Sequence, residues 1–198
     1  TSQARFFSLA IIGELAYFNP LRSADITSMP RLRSGVVAVL LDGRGVEGEA
    51  AKVVRNCSAN GAKYAETWAG EEKLLEAMIR CLSASEHIKA CVVGAVFAMS
   101  RAGVAAQTLL KGGLVKMLEA RIKEKVNAEL TPEQKERQRV TMACAAMALL
   151  NLKEAELEPA SKPAGSGGSG GSGGAGEGGA DAGKAGARTT GAGAAGAG

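Results

Sequence analysis

The nine residues AAKVVRNCS, at 50–58, recur along the chain, and that recurrence limits the fold more than any other feature of the sequence. SLAIIGELA stands before it at 8–16, and VVGAVFAMS and AAMALLNLK follow at 92–100 and 145–153, so the successive offsets are 42, 42 and 53. Equivalent positions keep their character: Ile11, Val53, Ala95 and Ala148 are apolar, as are Ile12, Val54, Val96 and Leu149, and again Leu15, Cys57, Met99 and Leu152. Apolar residues at i, i+1 and i+4 form one face of a helix. A period near 42 marks stacked helical units, none of which can bury its apolar face alone. The fold class this implies is all-α.

Two further helices are expected in each unit. KLLEAMIRCL at 73–82 and KMLEARIK at 116–123 align at an offset of 43, with KLLEA over KMLEA. VVAVLL at 36–41 would alone pass for a buried strand, but the register assigns it to the same helical position. Short helices at 62–69 and 103–111 run into Gly70 and into Gly112-Gly113, where glycine relieves the steric cost of a sharp corner. The first helix is expected over 3–18 and ends at Asn19-Pro20, followed by a short helix at 23–27 before Met29-Pro30. The helical region then divides into a partial unit at 1–19 and units at about 20–61, 62–103 and 104–157.

Two capping boxes are expected, Ser83 to Glu86 and Thr131 to Gln134, the second with Pro132 at the first helical position. The last unit carries extra residues in RIKEKVNAELTPEQKERQRV, the most charged stretch of the chain. They predict a helical pair lengthened beyond the body as a solvated charged arm, its second helix running from Pro132 to about Leu152.

From about 164 onward the chain is almost only Gly, Ala and Ser and holds 16 of the 27 glycines, and the segment is assigned to residues 158–198. Such a segment cannot bury enough apolar surface to offset chain entropy, so a disordered tail is expected. The net charge of +4 is a mild excess, with acidic residues mixed through the helices, which argues against a nucleic-acid binder. Cys57, Cys81, Cys91 and Cys144 form no CxxC pair and His87 is the single histidine, which argues against zinc and for buried, reduced thiols in the cytoplasm, with the nucleus as the alternative. No apolar run approaches the length of a membrane-spanning helix, so no membrane association is expected. The chain enters on a helix at Thr1 without a methionine and reads as a fragment of a longer protein. Gly43-Arg44-Gly45 lacks the downstream Gly-Lys-Ser/Thr of a phosphate loop, and neither a nucleophile–base pair nor a metal cluster is recognisable. No enzymatic activity and no cofactor are expected.

With its third helices in the A-L-x-N-L style, at Val53-Val54-Arg55-Asn56-Cys57 and Ala148-Leu149-Leu150-Asn151-Leu152, and its turns at Trp68-Ala69-Gly70 and Lys111-Gly112-Gly113, the chain resembles the armadillo-repeat family from about Gln3 to Lys153. The resemblance implies a right-handed α-α superhelix whose third helices line a concave groove that holds extended peptides or partner domains. Carried over by position, Asn56 and Asn151 match the groove asparagine that bonds a bound peptide's backbone; a helix-end hydrogen bond within the fold is the alternative for both. One turn earlier, where import receptors of the family carry tryptophan, this chain has Ala10, Lys52, Gly94 and Met147, which argues against import-signal recognition. Lys52, Asn56, Met147 and Asn151 are therefore the groove candidates.

The expected function is a scaffold or adaptor that binds another protein along the concave face. The alternatives are the substrate-recruiting part of an armadillo-containing ubiquitin ligase whose catalytic domain lies elsewhere, and an RNA-associated scaffold. Trp68 is expected in the core and His87 in solvent. Phe6, Phe7, Ile11, Ile12, Leu15 and Tyr17 spread around the first helix, which predicts self-association through that helix.

Overall fold

A computed structural model describes residues 2–157, which are all-helical. The expected tail at 158–198 lies outside the described residues. Among the described residues ten helices follow one another: α1 (Ser2–Ala16), α2 (Pro20–Ser28), α3 (Pro30–Asp42), α4 (Glu47–Ala59), α5 (Ala62–Ala69), α6 (Leu74–Cys81), α7 (Glu86–Ser100), α8 (Gly103–Lys111), α9 (Leu114–Lys123) and α10 (Pro132–Leu157). The stretch that could have passed for a strand is the second half of α3.

Local chemistry sets most of the boundaries. Asn19 caps α2, its side chain accepting from the Arg22 amide at 3.1 Å, with Pro20 preorganised at the first helical position. Gly43 ends α3 at φ 68°, a left-handed conformation that a side chain would strain. At Thr131 the capping box is complete: the Thr131 amide donates to Gln134 Oε1 at 3.0 Å and the Gln134 amide to Thr131 Oγ1 at 3.3 Å. The box expected at Ser83 is not formed. Ser85 is the residue before α7 and makes no side-chain cap bond, while Glu86 turns to Arg121 and Lys89 instead.

The core runs along the recurrent helices. α1 packs on α4, α4 on α7 and α7 on α10, with the shorter helices closing the flank. Val53, Val54 and Cys57 on α4 and their equivalents Ala95, Val96 and Met99 on α7 are all fully buried. So are Ala148 and Leu152 on α10, and Trp68 on α5 is the largest of the fully buried side chains. On α1 the pattern breaks. Ile11 and Leu15, equivalent to Val53 and Cys57, are 61% and 49% exposed, because no described helix lies on that side of α1. A cavity of about 720 Å³ opens between α1 and α3 on apolar residues that include Leu9, Ile12 and Val36.

Two expectations are corrected. The second helices do not align with KLLEA over KMLEA. Leu74, Met78 and Cys81 are buried on α6, and Leu114, Leu118 and Arg121 on α9, so the helices correspond at an offset of 40 rather than 43. A slip of three residues is nearly one helical turn and preserves the apolar face, so the letter match misleads. Nor is the last pair of helices lengthened together. α9 stops at Lys123, where Glu124 is extended, and its 10 residues barely exceed the 8 of α6, while α10 at 26 residues far exceeds the 15 of α7. The intervening loop is held to α10 by Gln138, which accepts from the Asn127 amide at 3.0 Å and donates to the Lys125 carbonyl at 3.4 Å. Gln138 is buried, so this part of α10 is not wholly a solvated arm.

Candidate functional site

A cavity of about 670 Å³ runs along α4, α7 and α10. Its walls follow the register of the recurrence. Lys52, Arg55, Asn56 and Ala59 line it from α4, and the residues one repeat on, Gly94, Phe97 and Ala98 of α7 and Arg101 just after it, line the facing side. α10 adds Arg137, Val140 and Cys144 from its N-terminal half; Val140 and Cys144 are the counterparts, 53 residues on, of His87 and Cys91, which also line the cavity. Of the four groove candidates, Lys52 and Asn56 come together here. Met147 and Asn151 do not reach the lining: Met147 is exposed further along α10, and Asn151 Nδ2 donates to Ser100 Oγ at 3.0 Å.

Asn56 is buried and bonded within the fold. Its Nδ2 donates to the Gly13 carbonyl of α1 at 2.9 Å, and its Oδ1 accepts from Arg55 Nε, also at 2.9 Å. Asn60, one turn later, donates to the Ala16 carbonyl at 2.6 Å. Both amides thus satisfy carbonyls in the last turn of α1, which lack partners within their own helix. Lys52 is tied to Glu49 at 2.6 Å and is partly buried.

The cavity has an excess of positive charge. Arg55, Arg101 and Arg137 form no ion pair with a carboxylate among the described residues. The one carboxylate on the lining, Glu136, lies 3.6 Å from Arg139. The Arg55 stem crosses α7 at Gly94, where an added Cβ would stand 3.0 Å from Arg55 Cδ. Sequence reasoning missed these three arginines. The signal for Arg101 was present: it is the counterpart of Ala59 one repeat later, one turn beyond the Asn56 position on the same wall. Nothing in the sequence marked Arg137, because it lies ahead of the stretch of α10 that the recurrence covers.

His87 is exposed, as expected, at one end of the cavity, its Nδ1 3.4 Å from Arg137 Nη1 and its Nε2 4.0 Å from Cys91 Sγ. Partial burial and then the charges of Lys52 and Arg137 lower its pKa, so it is neutral near pH 7. Burial raises the Cys91 thiol against the pull of nearby cations, which keeps it protonated rather than in the thiolate form a nucleophile requires. Cys57, Cys81 and Cys144 are also free thiols raised by burial, Cys81 to about 11. Among the described residues no group of three or more His, Cys, Asp or Glu is placed to hold a metal ion, and no helix is long and apolar enough to cross a membrane. No protein-family model matches the chain, and no curated protein or solved structure matches it.

Proposed function

We propose that the chain is an interaction module of the armadillo type, a non-catalytic scaffold that holds an extended peptide or partner segment in the groove along α4, α7 and α10. On this reading the succession of α1, α4, α7 and α10 is a short right-handed superhelix and the cavity is its concave face. The observation that carries the reading is the repeated lining. The same register positions on successive helices, Lys52 with Gly94, Arg55 with Phe97, Asn56 with Ala98 and Ala59 with Arg101, open on one continuous cavity. A surface built by repetition offers equivalent contacts at regular intervals, which suits a ligand that is itself a repeating backbone. The four free thiols favour a reducing setting, the cytoplasm or the nucleus.

The groove is tested by blocking it. Ala59 is exposed on its wall, so Ala59→Trp should obstruct it without disturbing the core, whereas Lys116→Trp on the exposed side of α9 should not. Partners retained by the wild-type protein and by Lys116→Trp should be lost with Ala59→Trp. Partners that survive Ala59→Trp unchanged would overturn the assignment. A second docking surface is the uncovered side of α1, where Phe7, Ile11 and Leu15 are exposed and a second copy of the chain would bury them.

A further inference from the structure

We infer that the groove selects acidic peptides, with Asp or Glu recurring at intervals of about three residues between small or apolar ones; this rests on the groove reading above. Three guanidinium groups without a carboxylate partner stand on the lining, one from each region that builds it: Arg55 on α4, Arg101 at the end of α7 and Arg137 on α10. Guanidinium is the side chain best matched to a carboxylate, since its fork can bond both oxygens. Between the arginines the floor is small and apolar, with Ala90, Gly94, Ala98 and Val140, so it takes side chains and backbone without offering a competing acid. The remaining charges agree: Glu136 is turned to Arg139, and cationic neighbours help hold His87 neutral.

The spacing follows from where the three stand along α7: Arg137 beside His87 in its first turn, the Arg55 stem at Gly94 in its middle, and Arg101 just after Ser100 at its end. Seven helical residues rise about 10 Å, and an extended peptide advances about 3.3 Å per residue. A strand laid along α7 therefore passes one arginine about every three residues. Nucleic acid fits less well. Of the aromatic rings on the lining, Tyr17 and Phe18 lie against each other with centroids 4.3 Å apart, which leaves no slot for a base between them, and Phe97, partly buried on α7, has no second ring against it among the described residues.

Selection of a random twelve-residue peptide library on the full chain tests the inference, with the enriched peptides then titrated against the Arg101→Glu/Arg137→Glu double variant. Both arginines are exposed, so the variant should keep the wild-type fold, as circular dichroism would verify. The expected result is enrichment of Asp and Glu at a spacing of two to four, and a loss of at least about tenfold in affinity on charge reversal. Enriched peptides that are neutral or basic, blocked by Ala59→Trp but indifferent to the reversal, would overturn the acidic selection and leave the groove standing. Failure to enrich any peptide that Ala59→Trp blocks would overturn the groove itself. Binding of a twelve-nucleotide oligouridylate more tightly than the best peptide would overturn the inference in favour of a nucleic-acid ligand.

Discussion

The side-chain amide of Asn56 donates a 2.9 Å hydrogen bond to the backbone carbonyl of Gly13, so one recurrent helix caps the end of the one before it. The two helices are closely packed at this point: an added Cβ at Gly13 would stand in ordinary contact, 3.8 Å from Val53 Cγ2.

Replacing Asn56 should therefore be felt first in the fold. Asn56→Ala leaves a helix-end carbonyl without its donor, at an expected cost of about 1–2 kcal/mol. Chemical denaturation would measure it. Affinity for an acidic peptide should change less than with Arg101→Glu/Arg137→Glu, because the Asn56 amide is largely occupied within the protein.

Gly112, at the end of α8, fits beneath Leu75 of α6. A Cβ there would stand 1.7 Å from Leu75 Cδ2 and 2.5 Å from Leu75 Cγ, so the leucine must move as a whole. Gly112→Ala should destabilise by about 1–3 kcal/mol, as overpacking does. The Leu75→Ala/Gly112→Ala double variant should be more stable than the sum of its singles, and a strictly additive cycle would show that the two do not meet.

Arg121 is 4% exposed and joins α9 to the start of α7 through Glu86, with Glu124 as its second acid. Burial alone would raise the Glu86 pKa, but hydrogen bonds from Arg121 and Lys89 bring it below its ordinary value of 4.5. A carboxyl whose folded pKa is depressed binds fewer protons folded than unfolded. Its contribution is therefore complete above about 4.5 and is lost as the pH falls through the lowered value. Glu86→Gln should flatten stability against pH in this acid range. At neutral pH it should cost about 1–2 kcal/mol, less than for a fully buried pair, because Glu86 remains partly open to water.

The uncovered side of α1 should make the 198-residue chain associate. Ile11→Ser/Leu15→Ser removes its two central apolar side chains without touching the buried Leu9, Gly13 and Ala16. Light scattering should show a lower average mass for the variant at equal concentration. An unchanged mass would mean that this face does not mediate contact between copies.

Helix identity and order were largely legible, because the apolar pattern, the prolines at 20, 30 and 132 and the glycines after α5 and α8 are local signals. Their partners were not. KLLEA and KMLEA invite superposition, yet burial sets them three residues out of step, since the face a helix buries belongs to its neighbours. Arg121 shows the same limit: a charged residue in a charged stretch is normally solvated, and only its place opposite Glu86 makes it buried. In the groove, Lys52 and Asn56 followed from the register. Met147 and Asn151 fell outside the lining although the register of α10 holds: Ala148 and Leu152 are buried as expected, but Met147 is turned to solvent and the Asn151 amide is spent on Ser100 of α7.

The packing of each recurrent helix on the one a repeat before it bears on synthesis. α4 need not wait for the chain to be finished. Its partner α7 emerges after about 40 further residues, a few seconds at about 5–20 residues per second. Contacts of this range close loops of modest entropy, so assembly can keep pace with elongation, each helix covering its predecessor as it appears. The nascent chain would then expose one unpaired helix face at a time, and at no stage an entire core.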